Sequence, residues 1–342
     1  MNTDDSLLNI NVKRLPEAFF NNIEEMTQRD VAFVVANTLL GESISSESLR
    51  NIVEQWIESD ATFRQVGSSM YAYEYLSGPT MSIYDLHARL LALLKADTVT
   101  SSKIVCCSKA DSSAAVCQAF KSVTGCSPYI LQAVGVLSDL EKRQLVSIVP
   151  NDKLCVVKCD EATLEILSQR AVAHISDQSI RLITDDNAYY RVSRVAMLFD
   201  MYRRLKTLQP DKKFVFACDK TQRACMDACT TAIEMGLPVR IVETVPDYDR
   251  DQVIKQAYTT TGYILSPRAV EQWVSLNAAS LESDEVGVFV QPSHPAKRRK
   301  LLEPLINHVI PLPHKLYFNP SVNLRYKFNA PTVNTIINFL TN

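Results

Sequence analysis

Glycine is scarce. The 342 residues hold only 8, where average usage of about 7% would give about 24. Glycine is the residue that lets a backbone close tightly around a phosphate, so glycine-rich phosphate loops are excluded as working parts. An excess of one charge is also missing. Thirty-six basic against 38 acidic residues leave a net charge of -2, which excludes an overall field holding the chain on nucleic acid or an anionic membrane. No apolar run approaches the roughly 18 residues of a membrane span. The opening Met-Asn-Thr-Asp-Asp has acids where a secretory leader needs a basic and then an apolar stretch, so a cytoplasmic protein is expected. The nine cysteines include no C-x-x-C pair. Cys106 and Cys107 are adjacent, while Cys225 and Cys229 have the spacing of neighbours on a helix. Reduced core thiols are expected, without metal or disulfide. Zinc spacing, a nucleotide fingerprint and a Ser-His-Asp arrangement are all absent.

What remains is 46% hydrophobic and 22% charged, a composition that supports two packed units. Residues 1 to about 70 read as helical, with segments from Leu15 to Met26, Arg29 to Leu40 and Ser46 to Ser59. From Lys103 onward, short β-branched runs alternate with amphipathic ones, the pattern of a parallel α/β sheet. Strands are predicted at Lys103–Cys107, Leu154–Lys158, Ile180–Ile183, Lys213–Cys218, Val239–Thr244 and Val286–Val290. Helices are predicted at Ser112–Val123, Glu161–Ala171, Val192–Leu205, Arg223–Met235 closed by Gly236, Val253–Thr260 and Pro267–Ser275. The tail from Pro311, rich in Pro and Asn, reads as a surface wrap. The expected division is a helical region over 1–75, a smaller α/β unit over 76–174, and a larger, discontinuous one over 175–342. Ligands of open α/β sheets bind beyond the carboxyl ends of strands. That points to three loops: Ser108–Ser113, Asp219–Ala224 and Gln291–Lys297.

The stretch Ser77-Gly78-Pro79-Thr80-Met81-Ser82-Ile83-Tyr84-Asp85-Leu86-His87-Ala88-Arg89 resembles the most characteristic segment of the threonine synthases. There, histidine-glycine-proline-threonine is followed by a phenylalanine-lysine-aspartate step whose lysine holds pyridoxal phosphate. The resemblance extends over nearly the whole chain. Gly41-Glu42-Ser43-Ile44-Ser45 is similar to part of the family's helical N-terminal region. Lys109-Ala110-Asp111-Ser112-Ser113-Ala114-Ala115-Val116 stands where the family has the serine-glycine-aspartate-threonine-glycine loop that faces the cofactor. Lys220-Thr221-Gln222-Arg223-Ala224 takes the place of serine-glycine-asparagine-phenylalanine-glycine, the cup for the cofactor phosphate. Pro292-Ser293-His294-Pro295-Ala296-Lys297 is similar to the family's alanine-histidine-proline-alanine-lysine segment, with Pro292 where a hydroxyl residue could meet the pyridine nitrogen. Tyr189, Tyr190 and Arg191 precede Ser193-Arg194 where the family has an asparagine-rich turn.

The resemblance implies a pyridoxal-enzyme fold of type II: two three-layer α/β units with parallel sheets, plus a helical N-terminal region. It also implies that Tyr84 replaces the cofactor lysine. A phenol forms no imine, and at a reference pKa of about 10 it is mostly neutral at pH 7. In the cup, both glycines give way to side chains, where backbone amides would otherwise point at one anion. The expectation is therefore a pseudoenzyme with no cofactor and no metal, kept for binding, regulation or scaffolding. Its partner would be an unknown protein or a small anionic metabolite, and its state a monomer or homodimer. Two alternatives stay open. One is an active lyase on O-phosphohomoserine or a related phosphorylated amino acid, with pyridoxal phosphate held by a relocated Lys109 or Lys220. The other is an anion sensor whose contacts are Lys220 and Arg223. The remodelled pocket is expected to comprise Tyr84, Asp85, His87, Lys109, Asp111, Ser112, Lys220, Thr221, Gln222, Arg223, Pro292, Ser293, His294 and Lys297. His87 reads as pocket filler, and His294 and Lys297 as braces. The run Lys297-Arg298-Arg299-Lys300 resembles a nuclear import signal, although the family motif already accounts for its first lysine.

Overall fold

A computed structural model describes residues 10–96, 102–107, 110–133, 139–175, 177, 179–184, 188–220, 222–244, 249–262, 265–294 and 326–341. In chain order, α1 spans Glu17–Asn22, α2 Gln28–Leu40 and α3 Ser46–Trp56, followed by strands β1 Thr62–Gln65 and β2 Met70–Glu74. Next come α4 Tyr84–Lys95, β3 Lys103–Cys107, α5 Ala110–Phe120, β4 Ser127–Ala133, α6 Asp139–Ile148, β5 Leu154–Val157, α7 Glu161–Ile175 and β6 Ile180–Ile183. Then follow α8 Ala188–Leu208, β7 Lys213–Cys218, α9 Arg223–Glu234, β8 Val239–Glu243, α10 Arg250–Thr261, α11 Pro267–Ala278 and β9 Glu285–Gln291. The chain closes with β10 Tyr326–Phe328 and α12 Val333–Thr341. No helix among the described residues is long and apolar enough to cross a membrane.

The chain divides into two compact units. One comprises 1–6, 78–187 and 310–342; the other comprises 7–77 and 188–309. In the first, a five-stranded sheet runs β10-β5-β4-β3-β6 with every neighbouring pair parallel. The strands β3 and β5 are buried almost throughout, as a sheet covered on both faces requires. One face, carrying Val105, Cys107, Leu131, Ala133, Cys155 and Val157, packs with Leu164 and Ala171 of α7 and Ile336, Phe339 and Leu340 of α12. The chain moves from β3 to β4 to β5 and then returns to the other side of β3 as β6. The order thus reverses at β3, which marks the ligand edge of an open α/β sheet.

The second unit has the order β1-β2-β9-β7-β8, with β1 and β2 an antiparallel hairpin and the remaining pairs parallel. Here the reversal lies between β7 and β9. Local signals set the helices. Thr27 and Asp30 close a capping box on α2, with each side chain accepting from the other's backbone amide at 3.1 and 3.0 Å. Ser266 caps α11 and is followed by Pro267 in the first helical turn. Gly236 ends the turn after α9 at φ 99°, where a side chain would be strained.

Several expectations are corrected. The region over 1–75 is neither all helix nor separate. Residues 62–74 form the β1–β2 hairpin, and β2 extends the second unit's sheet by pairing with β9. Phe19 and Phe20 of α1 join Phe199 and Tyr202 of α8 in one aromatic cluster, with ring centroids 5.3 to 6.4 Å apart. The unit boundary falls at 187/188 instead of 174/175, because α7 and β6 complete the first unit's sheet and core. The end of the tail also belongs to the first unit. There β10 adds an edge strand beside β5, and Lys103 Nζ donates to the Leu340 carbonyl at 2.7 Å. The predicted wrap over 311–325 lies outside the described residues, as do Lys109, Thr221, Lys297 and the basic run to Lys300.

Candidate functional site

Both sheets place sequence-selected segments at their reversal points. In the first unit, β3 runs into α5, whose first turn carries Asp111, Ser112 and Ser113, all buried. The segment before α4 is held by one carboxylate. Asp85 accepts from the Thr80 amide at 2.9 Å, the Thr80 hydroxyl at 2.7 Å and the Ser82 amide at 3.3 Å. Thr80 in turn gives its carbonyl to Gln144 Nε2 at 3.1 Å. This clasp tightens the loop until Gly78 meets Asp85, and Met81 takes a positive φ of 56°. Tyr84, 3% exposed, begins α4; its amide donates to Ser82 Oγ at 3.3 Å, and its ring meets that of buried His87 edge-on at 5.9 Å. The arrangement is a rigid frame with a phenol at the head of the helix. On β4, buried Gln132 has a side-chain oxygen with no hydrogen-bond partner among the described residues.

In the second unit, two amides of the loop after β7 are hydrogen-bonded within the protein. Lys220 N–H donates to Thr244 Oγ1 at 3.2 Å, and Gln222 N–H to the Asp219 carbonyl at 3.1 Å. Gln222 also fills the loop with its side chain. Its Nε2 donates to Asp219 Oδ2 at 3.0 Å, while its Oε1 accepts from Arg194 Nη2 at 3.4 Å and the Cys225 thiol at 3.3 Å. The two cations point elsewhere. Lys220 Nζ faces Glu243 at 3.8 Å and Arg223 Nε faces Asp227 at 3.8 Å, with side chains 56% and 82% exposed. They engage different carboxylates and do not converge on one point. After β9, Gln291 spans to the Ser266 amide at 3.1 Å and the Ser293 carbonyl at 2.7 Å, which fixes the entry to half-buried Pro292, buried Ser293 and half-buried His294. Arg194 lies outside the predicted pocket, as does Asp219, although Asp219 opens the predicted loop Asp219–Ala224. The one sequence signal for Arg194 is its place after the Tyr189–Arg191 turn.

No protein-family model matches the chain. The threonine synthase of Haemophilus influenzae is 21% identical over 363 aligned positions, covering 86% of this chain and 85% of that protein. That of Serratia marcescens is 20% identical, covering 88% and 85%. The crystal structure of threonine synthase from Escherichia coli superposes with a TM-score of 0.84 at 17% identity, over 97% of this chain and 92% of that one. In sequence and in fold the chain is similar to the threonine synthases. Its fold is that of the type II pyridoxal enzymes, as expected from the resemblance. The pyridoxal-phosphate-bound threonine synthase from Brucella melitensis shares it at a TM-score of 0.72 and 14% identity, over 97% of this chain and 91% of that one. In this chain the frame around Asp85 is closed by its hydrogen bonds to Thr80 and Ser82. The residues opposite the cup motif of the threonine synthases make internal bonds of their own.

Proposed function

We propose that this chain is a threonine synthase-like pseudoenzyme that does not hold pyridoxal phosphate and serves a binding, regulatory or scaffolding role. The observation that carries the reading is Tyr84, a buried phenol at the head of α4, in the segment where the threonine synthases have their cofactor lysine. The residues present do not fit the group. An amine is needed to hold the aldehyde, and residue 84 has none. A phosphate needs several free amides at one point, whereas those of Lys220 and Gln222 are engaged by Thr244 and Asp219. Gln222 occupies the loop, and Lys220 is turned towards Glu243, which weighs against Lys220 as a relocated cofactor lysine.

Thermal unfolding of the purified chain with and without pyridoxal phosphate, inorganic phosphate and O-phosphohomoserine tests this. A ligand selective for the folded state raises apparent stability. The reading predicts no shift with pyridoxal phosphate. A shift with that cofactor would favour the active lyase. A shift with inorganic phosphate alone, lost in Lys220→Ala, would favour an anion sensor.

A further inference from the structure

Three sulfur atoms gather where β7 passes into α9. Cys218 ends β7 at 4% exposure, and its thiol donates to the Met226 sulfur at 3.5 Å. The same thiol is in hydrogen-bonding contact with Cys229, itself 6% exposed. Met226 and Cys229 lie three residues apart on α9 and so share a face of that helix. Cys225, half-buried on the same helix, turns its thiol to Gln222 Oε1 at 3.3 Å instead. The Arg194 guanidinium acts electrostatically on Cys218, with Asp219 acting in the opposite sense.

This donor set is chemically selective. A metal bound to three sulfurs by bonds of about 2.3 Å holds them about 4 Å apart, and the Cys218 and Met226 sulfurs stand 3.5 Å apart. Thiolate and thioether together are soft ligands that select copper(I), whereas zinc takes thiolate, imidazole and carboxylate. Among the described residues no three His, Cys, Asp or Glu side chains gather as a metal site, so the third donor here is the thioether. Two thiolates and one copper(I) sum to a single negative charge, towards which the Arg194 guanidinium is attractive and the Asp219 carboxylate repulsive. On binding, two S–H bonds break, two copper–thiolate bonds form, the thioether adds through a lone pair and two protons leave to solvent. No electron is transferred.

We propose that Cys218, Met226 and Cys229 form a binding site for one soft monovalent metal ion, copper(I). The inference stands apart from the pseudoenzyme reading, since no residue of the cofactor lysine segment takes part. The first unit supplies a control. Cys106 on β3 and Cys117 on α5 are separated by eleven residues, as Cys218 and Cys229 are. Their sulfurs are 3.5 Å apart and both are fully buried. The neighbouring Cys107 belongs to the opposite face of that strand, in the core against α7.

The test is titration of the full, reduced chain with copper(I) under nitrogen, in competition with bicinchoninate and repeated with silver(I). One copper(I) per chain is expected, with X-ray absorption showing sulfur neighbours alone and about two protons released per ion. Met226→Leu conserves volume and is expected to weaken binding at least about tenfold. Cys229→Ser should abolish binding and Cys117→Ser should leave it unchanged. Failure to withhold copper from the chelator would overturn the proposal. So would binding that Met226→Leu and Cys229→Ser leave intact, or binding lost in Cys117→Ser. Should Cys229→Ser unfold the chain, Met226→Leu alone decides.

Discussion

The Asp85 carboxyl group lies against the Cα of Gly78 so closely that a Cβ there would come within 2.5 Å of Asp85 Cγ. Glycine is needed at this point for close approach, because the three hydrogen bonds from Thr80 and Ser82 pull the carboxylate over the chain. A methyl group could be accommodated only by breaking that clasp. Gly78→Ala is therefore expected to lower stability by about 1–3 kcal/mol, read as a lower denaturant midpoint with an unchanged slope. An unaltered midpoint would show that the clasp is looser than the geometry states.

In the second unit, Tyr73 donates its hydroxyl to Asp200 Oδ2 at 3.1 Å, and Arg203 holds the other oxygen at 2.7 Å. Burial first, and then the Asp200 charge, raise the Tyr73 hydroxyl well above its ordinary value. Unfolded tyrosine ionises near pH 10 while the folded one does not, so stability is fully present below that pH and falls as pH rises beyond it. Cys155 adds an earlier fall. Burial pushes its thiol from 9.0 up to about 12, so its contribution is lost between those values, by up to about 1.4 kcal/mol per pH unit. Unfolding free energies measured from pH 8 to 11 should decline. The decline should be shallower in Cys155→Ala from pH 9, and in Tyr73→Phe from about pH 10. Parallel curves would remove both assignments.

Gln222 holds more of its loop together than the charged residues beside it. Gln222→Ala takes partners from buried Asp219 and Arg194 and is expected to cost about 1–2 kcal/mol. Lys220→Ala and Arg223→Ala, both at exposed ion pairs, should stay within about 0.5 kcal/mol of the parent. Chemical denaturation of the three variants ranks them. A larger loss from Arg223→Ala would reverse this reading of the loop.

Much of this architecture is legible in the sequence because buried parallel strands are short apolar runs. The strands β3, β6 and β7 fall at the residues that periodicity selects. The strand β4 is harder to see, since Pro128 near its start and Gln132 near its end interrupt the apolar pattern. The hairpin strand β1 is mostly exposed and polar, with a burial pattern set by its partner strand. The helix α12 is recognisable only by what it covers, the apolar face that includes Cys155 and Val157. At the candidate site, sequence motifs locate the loops, and charge singles out Lys220 and Arg223, which the fold leaves in exposed ion pairs. The filling role of Gln222 depends on Arg194, 28 residues away, and no local pattern carries that contact. The sulfur group has the same origin. Cys225 and Cys229 are visible as helix neighbours, whereas the approach of Cys218 to Met226 needs the packing of β7 against α9.

Restoring one amine is not expected to restore an enzyme. Tyr84→Lys leaves Gln222 in the loop and the amides of Lys220 and Gln222 engaged. An assay of threonine formation from O-phosphohomoserine with added pyridoxal phosphate should therefore stay at background for this variant. Recovered activity would mean that the phosphate site is still functional.

The most direct measurement is the absorption spectrum of the unmodified protein after incubation with excess pyridoxal phosphate and desalting, followed by borohydride trapping and peptide mapping. The account predicts no retained visible band and no lysine modified in proportion to the chain. A stable band with a single trapped lysine, whether Lys109, Lys220 or another, would contradict it and identify a relocated cofactor amine.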